Sequence, residues 1–306
     1  MNAEPRDLRT RALQQFALDV IGSVSRRLAG AGIPFVATKG IVTARQLYAS
    51  PSERPLSDID LLVAEDDLDR VCATLSDAEF DRRERFRSYR VAVFNHRGIG
   101  IDIKGVVGPT GLCALPARAV IEASVDGASL GLPCRVPSLE HHALLLLINA
   151  YKDRLACVDA PATEDLRRLL DLEALPIDRF VAQCDAGHVR AIAWITVRWL
   201  RRTGPLARGR EIEAALAPPP RASFSRWVDA LVASGAQGAR WSVVPLRAAG
   251  DRWPDVAKSL RWAAVWGVES AIHERRMRVV RSRMTRRLGA SEPHETRRPG
   301  REGVRW

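Results

Sequence analysis

Apolar residues Leu8, Leu13, Phe16, Val20, Ile21, Val24 and Leu28 recur at helical spacing, and Gly30-Ala31-Gly32 ends the run. The pattern then shortens. Ile33 to Ala37 predicts a strand, Gly40 to Tyr48 a helix, and the two-proline stretch Ser50 to Leu56 a loop. Ile59 to Val63 predicts a second strand, apolar apart from Asp60, with Asp58 just ahead of it. Glu65-Asp66-Asp67 places acids in the first turn of a helix running to about Ser76, where the helix dipole favours them. Phe86 to Phe94 and Ile99 to Val107 predict two strands joined at Asn95-His96-Arg97-Gly98. A short helix near Pro116 to Ala123 and a small strand near Pro133 to Val136 follow.

Beyond Pro137 the periodicity is helical. Ser138 is expected to cap a helix over Leu139 to Arg154. Further helices are predicted over Thr163 to Leu172, Ile177 to Cys184, His188 to Arg202, Glu211 to Ala217, Ala222 to Ala233 and Asp255 to Leu288, with prolines between them. No internal repeat is visible. The expected fold class is α/β: a mixed sheet with flanking helices over residues 1–136, then an all-helical domain over 137–288 and a disordered basic tail over 289–306.

Composition narrows the class. A chain of 306 residues with 46% hydrophobic positions has room for two globular cores. The apolar stretch Ala143 to Ala150 is far shorter than the roughly 20 residues a bilayer needs, and Met1 to Arg11 lacks the apolar run of a secretion signal. A soluble, cytoplasmic protein is therefore expected. The five cysteines are scattered and odd in number, which argues against a disulfide framework or a zinc site. The net charge of +11 comes almost wholly from arginine and would attract polyanions. Lysine is rare, at Lys39, Lys104, Lys152 and Lys258 only, which draws attention to Lys39 and Lys104.

Candidate chemistry gathers around Asp58 and Asp60. Residues i and i+2 of a strand share a face, so these two carboxylates project together while Ile59 and Leu61 enter the core. Paired carboxylates repel each other unless a cation intervenes, and a hard ion such as Mg²⁺ takes oxygen ligands of this kind. Asp102 and Lys104 share a face of the later strand, with Ile101 and Ile103 on the other. If that strand lies beside the first, Asp102 completes a cluster able to hold two ions, one activating an attacking oxygen and one neutralising a leaving pyrophosphate. Asp102 is also a candidate acceptor for the attacking hydroxyl's proton. Thr38-Lys39-Gly40 stands where a strand meets a helix, so Lys39 can reach a phosphate and Gly40 permits close approach.

With those residues in view, the sequence resembles the uncharacterised nucleotidyltransferase family of the DNA polymerase beta-like nucleotidyltransferase superfamily. The resemblance is carried by Ile33 to Gly40, by Leu47-Tyr48 and by Arg54-Pro55-Leu56-Ser57-Asp58-Ile59-Asp60-Leu61-Leu62-Val63. Ile101-Asp102-Ile103-Lys104 matches the family's later strand, with lysine where histidine is usual, and Thr38 stands where leucine is usual. The resemblance implies a nucleotidyltransferase-type sheet and nucleotidyl transfer from an NTP such as ATP to a hydroxyl or phosphate of a small-molecule, peptide or sugar acceptor. It implies Mg²⁺ or Mn²⁺ held by Asp58, Asp60 and Asp102, the catalytic set, with Lys39, Gly40, Arg54 and Ser57 as nucleotide contacts. Arg54 has a second reading, as a brace for the loop before Asp58. The rival function is a nucleic-acid-binding or toxin–antitoxin-type module of the same fold acting on RNA or tRNA.

Weaker signals remain. Adjacent helical residues diverge by about 100°, so His141-His142 is not expected to ligate one ion. Asn149, Tyr151 and Lys152 are candidates to line a cleft, and the tryptophans of the helical part read as core. The arginine-rich stretch from His273 to Leu288 offers possible contact with nucleic acid or a membrane surface, although a packed last helix is the favoured reading.

Overall fold

The computed structural model describes residues 5–77, 79–86, 90–153, 155, 160–235 and 243–265. The N-terminal amphipathic pattern forms α1 (Pro5–Gly30), which buries Ala17, Val20, Ile21, Val24 and Leu28. After it come β1 (Phe35–Thr38), α2 (Gly40–Gln46), β2 (Asp58–Val63), α3 (Leu68–Leu75), β3 (Asp81–Phe86), β4 (Val91–His96) and β5 (Ile99–Lys104). The five strands form one mixed sheet in the order β1-β2-β5-β4-β3, with β2 and β5 parallel and the other neighbours antiparallel.

Strand parity divides this sheet into two chemically different faces. Ile59, Leu61 and Val63 on β2 and Ile101 and Ile103 on β5 pack in one core with the apolar stripes of α1 and α3. Their alternates on the opposite face are Asp58, Asp60 and Leu62, and Asp102 and Lys104. Leu62 and Val36 join the core of the helical layer, so this second face is half apolar wall and half charged site.

Differences from the sequence pattern are local. β2 begins at Asp58, so both of its acids are strand residues. β3 was not expected: its sequence, Asp-Arg-Arg-Glu-Arg-Phe, has no apolar alternation. It lies at a sheet edge, paired on one side only and with a register shift between Arg82 and Glu84. Charge at an edge resists pairing with another chain, and little of such a strand needs a core. The next strand starts at Val91 rather than Phe86. Its hairpin turns at Arg97-Gly98, both at positive φ (49° and 95°), the geometry of a two-residue turn.

A small ribbon, β6 (Val125–Asp126) with β7 (Arg135–Val136), follows α4 (Ala117–Glu122). The helical layer comprises α5 (Leu139–Lys152), α6 (Pro161–Leu170), α7 (Ile177–Ala186), α8 (Arg190–Thr203), α9 (Gly209–Leu216), α10 (Ala222–Ala233) and α11 (Val243–Arg247); residues 253–265 are also helical. α11 was not anticipated. Ser138 is the N-cap of α5, but its hydroxyl meets Nδ1 of His141 at 2.8 Å instead of capping the backbone. Trp194, Trp199 and Trp262 are buried as expected, whereas Trp227 is exposed. The basic segment 273–288 and the tail 289–306 lie outside the described residues.

One buried tie joins the two layers ahead of the acids. The Arg54 guanidinium grips Asp165 of α6, with Nη2 at 2.9 Å and Nε at 3.2 Å from Oδ2. Asp165, whose side chain is 1% exposed, also accepts from Tyr48 Oη at 2.9 Å and Thr43 Oγ1 at 3.2 Å. On the other side, Gln14 of α1 donates to the carbonyls of Pro51 and Arg54. Asp165→Ala strips a buried cation of its partner and is expected to cost about 3–5 kcal/mol of stability. Urea unfolding checks this; a loss under about 1 kcal/mol would reduce the pair to an ordinary surface contact.

Candidate active site

The register sets Asp60 directly opposite Asp102 across β2 and β5, with Asp58 opposite Gly100. All three sequence-predicted carboxylates thus stand on one sheet face. Asp60 is the most enclosed, at 6% exposure; Asp58 is half-buried, and the Asp102 side chain is 30% exposed.

The lysines converge on the same point. Lys39 Nζ lies 2.7 Å from Asp60 Oδ1, and Lys104 Nζ lies 2.5 Å from that same oxygen. Lys104 Nζ is also 3.7 Å from Asp102 Oδ2. Burial alone would raise the Asp60 pKa, but the two ammoniums outweigh it and hold the carboxyl well below its ordinary value. For Asp102 burial prevails and pushes the carboxyl up, against the pull of Lys104 and helped by the charges of Asp60 and Asp58. Burial, with the like charge of Lys104, brings Lys39 down to about 8 despite its bond to Asp60. Burial also works against the Lys104 charge, but Asp60 and Asp102 more than compensate and raise it. The paired acids therefore do not stand in uncompensated repulsion; their own lysines supply cations.

Lys39 reaches Asp60 from a strained backbone. It is the N-cap of α2 with φ 53° and ψ −131°, a conformation that side-chain-bearing residues rarely adopt and that costs about 1–3 kcal/mol. Gly40 has a separate reason: a Cβ there would sit 3.2 Å from Arg54 Nη1 and from Leu56 Cδ1. The expected nucleotide contacts accordingly divide. Lys39 faces the site, Arg54 is engaged by Asp165, Gly40 makes room for Arg54, and the Ser57 hydroxyl donates to Asp58 Oδ1 at 2.6 Å.

A narrow cleft opens beside the lysines, between the sheet and α5. Leu62, Val107, Pro109, Leu145 and Ile148 give it apolar walls; Lys39, Lys104, Lys152 and Asn149 give it polar ones. Three of the four lysines in the chain meet here. Asp60 is not itself a wall of this cleft but stands behind Lys39 and Lys104. Of the α5 candidates, Asn149 and Lys152 line it, while Tyr151 is buried and donates to the Leu246 carbonyl at 2.8 Å. His142 meets Gln46 Oε1 at 2.7 Å, a packing role. Asp165 escaped the sequence reading because its partner Arg54 is 111 residues away.

Carboxylate oxygens are the donor chemistry of a hard divalent ion, and Mg²⁺ is commonly held by one or two carboxylates plus substrate phosphates. Asp58 and Asp60 fit that role, since of the two Asp60 oxygens the ammoniums engage Oδ1 alone. Among the described residues no three acid, histidine or cysteine side chains gather closely enough to hold an ion. The physical reason is Lys104, which stands between Asp60 and Asp102.

The site is thus a mixed sheet carrying a face of acids, with a helical layer across a cleft lined by lysines. The family described as "Uncharacterised nucleotidyltransferase" matches residues 6–203, and the chain belongs to it. It is thus a transferase whose class acts on an NTP and an acceptor and generally uses divalent metal ions. No curated protein sequence matches it. A solution structure of the antibiotic-resistance factor ANT(2'')-Ia is similar at 17% identity and a TM-score of 0.37, covering 66% of this chain and 96% of that one. No helix among the described residues is long and apolar enough to cross a membrane.

Proposed function

We propose that the protein transfers a nucleotidyl group from an NTP, with one Mg²⁺ or Mn²⁺, to a hydroxyl or phosphate of a small-molecule, peptide or sugar acceptor. The observation that supports this most is the register placing Asp60 opposite Asp102, with Asp58 two residues earlier, beside a cleft of lysines. Asp58 and Asp60 would hold the divalent ion, which when bound supplies neutralisation of phosphate charge and polarises a phosphoryl oxygen.

The chain's own residues do the rest. Lys39 and Lys152, on the sheet and helix walls of the cleft, meet the negative charge of the triphosphate. Asn149, also on the α5 wall, offers an amide to the base. An acceptor hydroxyl attacks the α-phosphorus, and its proton passes to the accessible carboxylate of Asp102. The bond from the α-phosphorus to the bridging oxygen breaks, and pyrophosphate leaves with that electron pair.

Label position tests the reaction. With α-labelled NTP, label is expected on the acceptor after incubation with host extract; with γ-labelled NTP it should appear only in pyrophosphate. Failure of all four Mg·NTPs to bind by calorimetry would overturn the reading. Lys39→Ala is expected to weaken NTP binding at least about tenfold, as for loss of a charged hydrogen bond, with acceptor affinity changed less. Unchanged NTP affinity would remove Lys39 from the triphosphate site.

A further inference from the structure

Asp60 and Asp102 face each other across the two central parallel strands, yet the space between their oxygens is filled. Lys104 follows Asp102 by two residues on the same face of β5 and lies opposite Leu62 of β2 and Val91 of β4. Pairing on both sides fixes its Cα in a central strand, and its side chain is only 19% exposed. Its ammonium, 2.5 Å from Asp60 Oδ1 and 3.7 Å from Asp102 Oδ2, occupies the position a bridging cation would take.

We propose that Lys104 is the resident second cation of this active site, taking the place of a divalent ion between Asp60 and Asp102, so that the enzyme works with a single exchangeable ion. The single ion rests on the nucleotidyl-transfer reading; the exclusion by Lys104 does not. Three observations carry it. An octahedral ion needs oxygens at about 2.0–2.1 Å, and here the oxygen on one side is already taken by two ammoniums. Lys39 and Lys104 together cancel most of the charge on the three carboxylates, so little field is left to draw in two divalent ions. Finally, a chain that uses arginine almost everywhere keeps lysine here. A lysine ammonium is a compact point charge that can replace an ion between two carboxylates.

Mn²⁺ binding followed by electron paramagnetic resonance decides the matter, using Lys104→Met to keep the stem and remove the charge, and Lys104→Arg to keep the charge. With a non-transferable α,β-methylene NTP analogue, wild type is expected to hold one Mn²⁺ per complex and Lys104→Met two. Without nucleotide, Lys104→Met should bind Mn²⁺ at least about tenfold more tightly than wild type, because the carboxylates lose their internal cation, while Lys104→Arg should show no gain. Mn²⁺ should also raise the Tm of Lys104→Met more than that of wild type. This thermal readout holds even if the variant folds poorly without metal. Two ions on wild type, or no gain in Mn²⁺ binding and no thermal rescue in Lys104→Met, would overturn the proposal. A wild type that binds no analogue sinks the nucleotidyl-transfer reading instead, and the nucleotide-free comparison still decides the role of Lys104.

Discussion

Asp60→Asn is expected to lower single-turnover nucleotidyl transfer by at least about 1000-fold at saturating nucleotide and Mg²⁺, because it removes charge from the carboxylate that both ammoniums contact and that would hold the divalent ion. It should also weaken the fold, and here Asp60 and Asp58 part company. Asp60 is the shared partner of two enclosed ammoniums, so its neutral variant leaves two like charges without their anion, at a cost of about 3–5 kcal/mol. Asp58 is half-buried and touched by the Ser57 hydroxyl, so Asp58→Asn should lose transfer with a stability change within about 0.5 kcal/mol. Acid provides an independent check. The folded Asp60 carboxyl titrates below its ordinary value of 3.8, so the unfolded chain binds the extra proton first. The stabilisation by Asp60 is therefore complete above that ordinary value and is lost as pH falls through the folded one. Urea midpoints between pH 3 and pH 7 should show a shallower acid limb for Asp60→Asn than for wild type. A wild-type transfer rate in the variant would take Asp60 out of the chemistry.

The sequence made the face of acids legible and left its electrostatics hidden, and the reason lies in what periodicity encodes. Alternation along Asp58-Ile59-Asp60-Leu61 states which side chains share a face, and the same holds for Ile101-Asp102-Ile103-Lys104. It says nothing about where a long flexible side chain ends. Lys39 and Lys104 both finish on one oxygen of Asp60, a result of strand pairing and of the positive φ at Lys39. The expectation of two ions among three carboxylates did not include these internal cations. β3 was invisible for the opposite reason, since an edge strand of charged residues carries no apolar alternation. The Arg54–Asp165 tie joins segments related only through packing of α6 on the loop before Asp58, so no local pattern announces it. The pair is compatible with the second reading of Arg54, as a brace for the loop before Asp58.

Asp102→Asn separates binding from chemistry. The variant keeps the size of the side chain and removes its charge, on a residue that faces Asp60 but is the more exposed of the two. If Asp102 accepts the proton of the attacking hydroxyl, the variant should bind Mg·NTP within about threefold of wild type yet transfer at least about 100-fold more slowly, the range associated with losing a general base. The competing role is that of a partner for Lys104, whose ammonium lies 3.7 Å away. A pair at that distance with one member 30% exposed contributes little, so in that role the change costs at most about 1 kcal/mol of stability and leaves turnover near normal. Nucleotide affinity by calorimetry and single-turnover rate by quench, measured on the same preparation, distinguish the two. Equal losses in affinity and rate would place Asp102 in nucleotide binding, and a normal rate would leave proton removal to the acceptor's surroundings or to water.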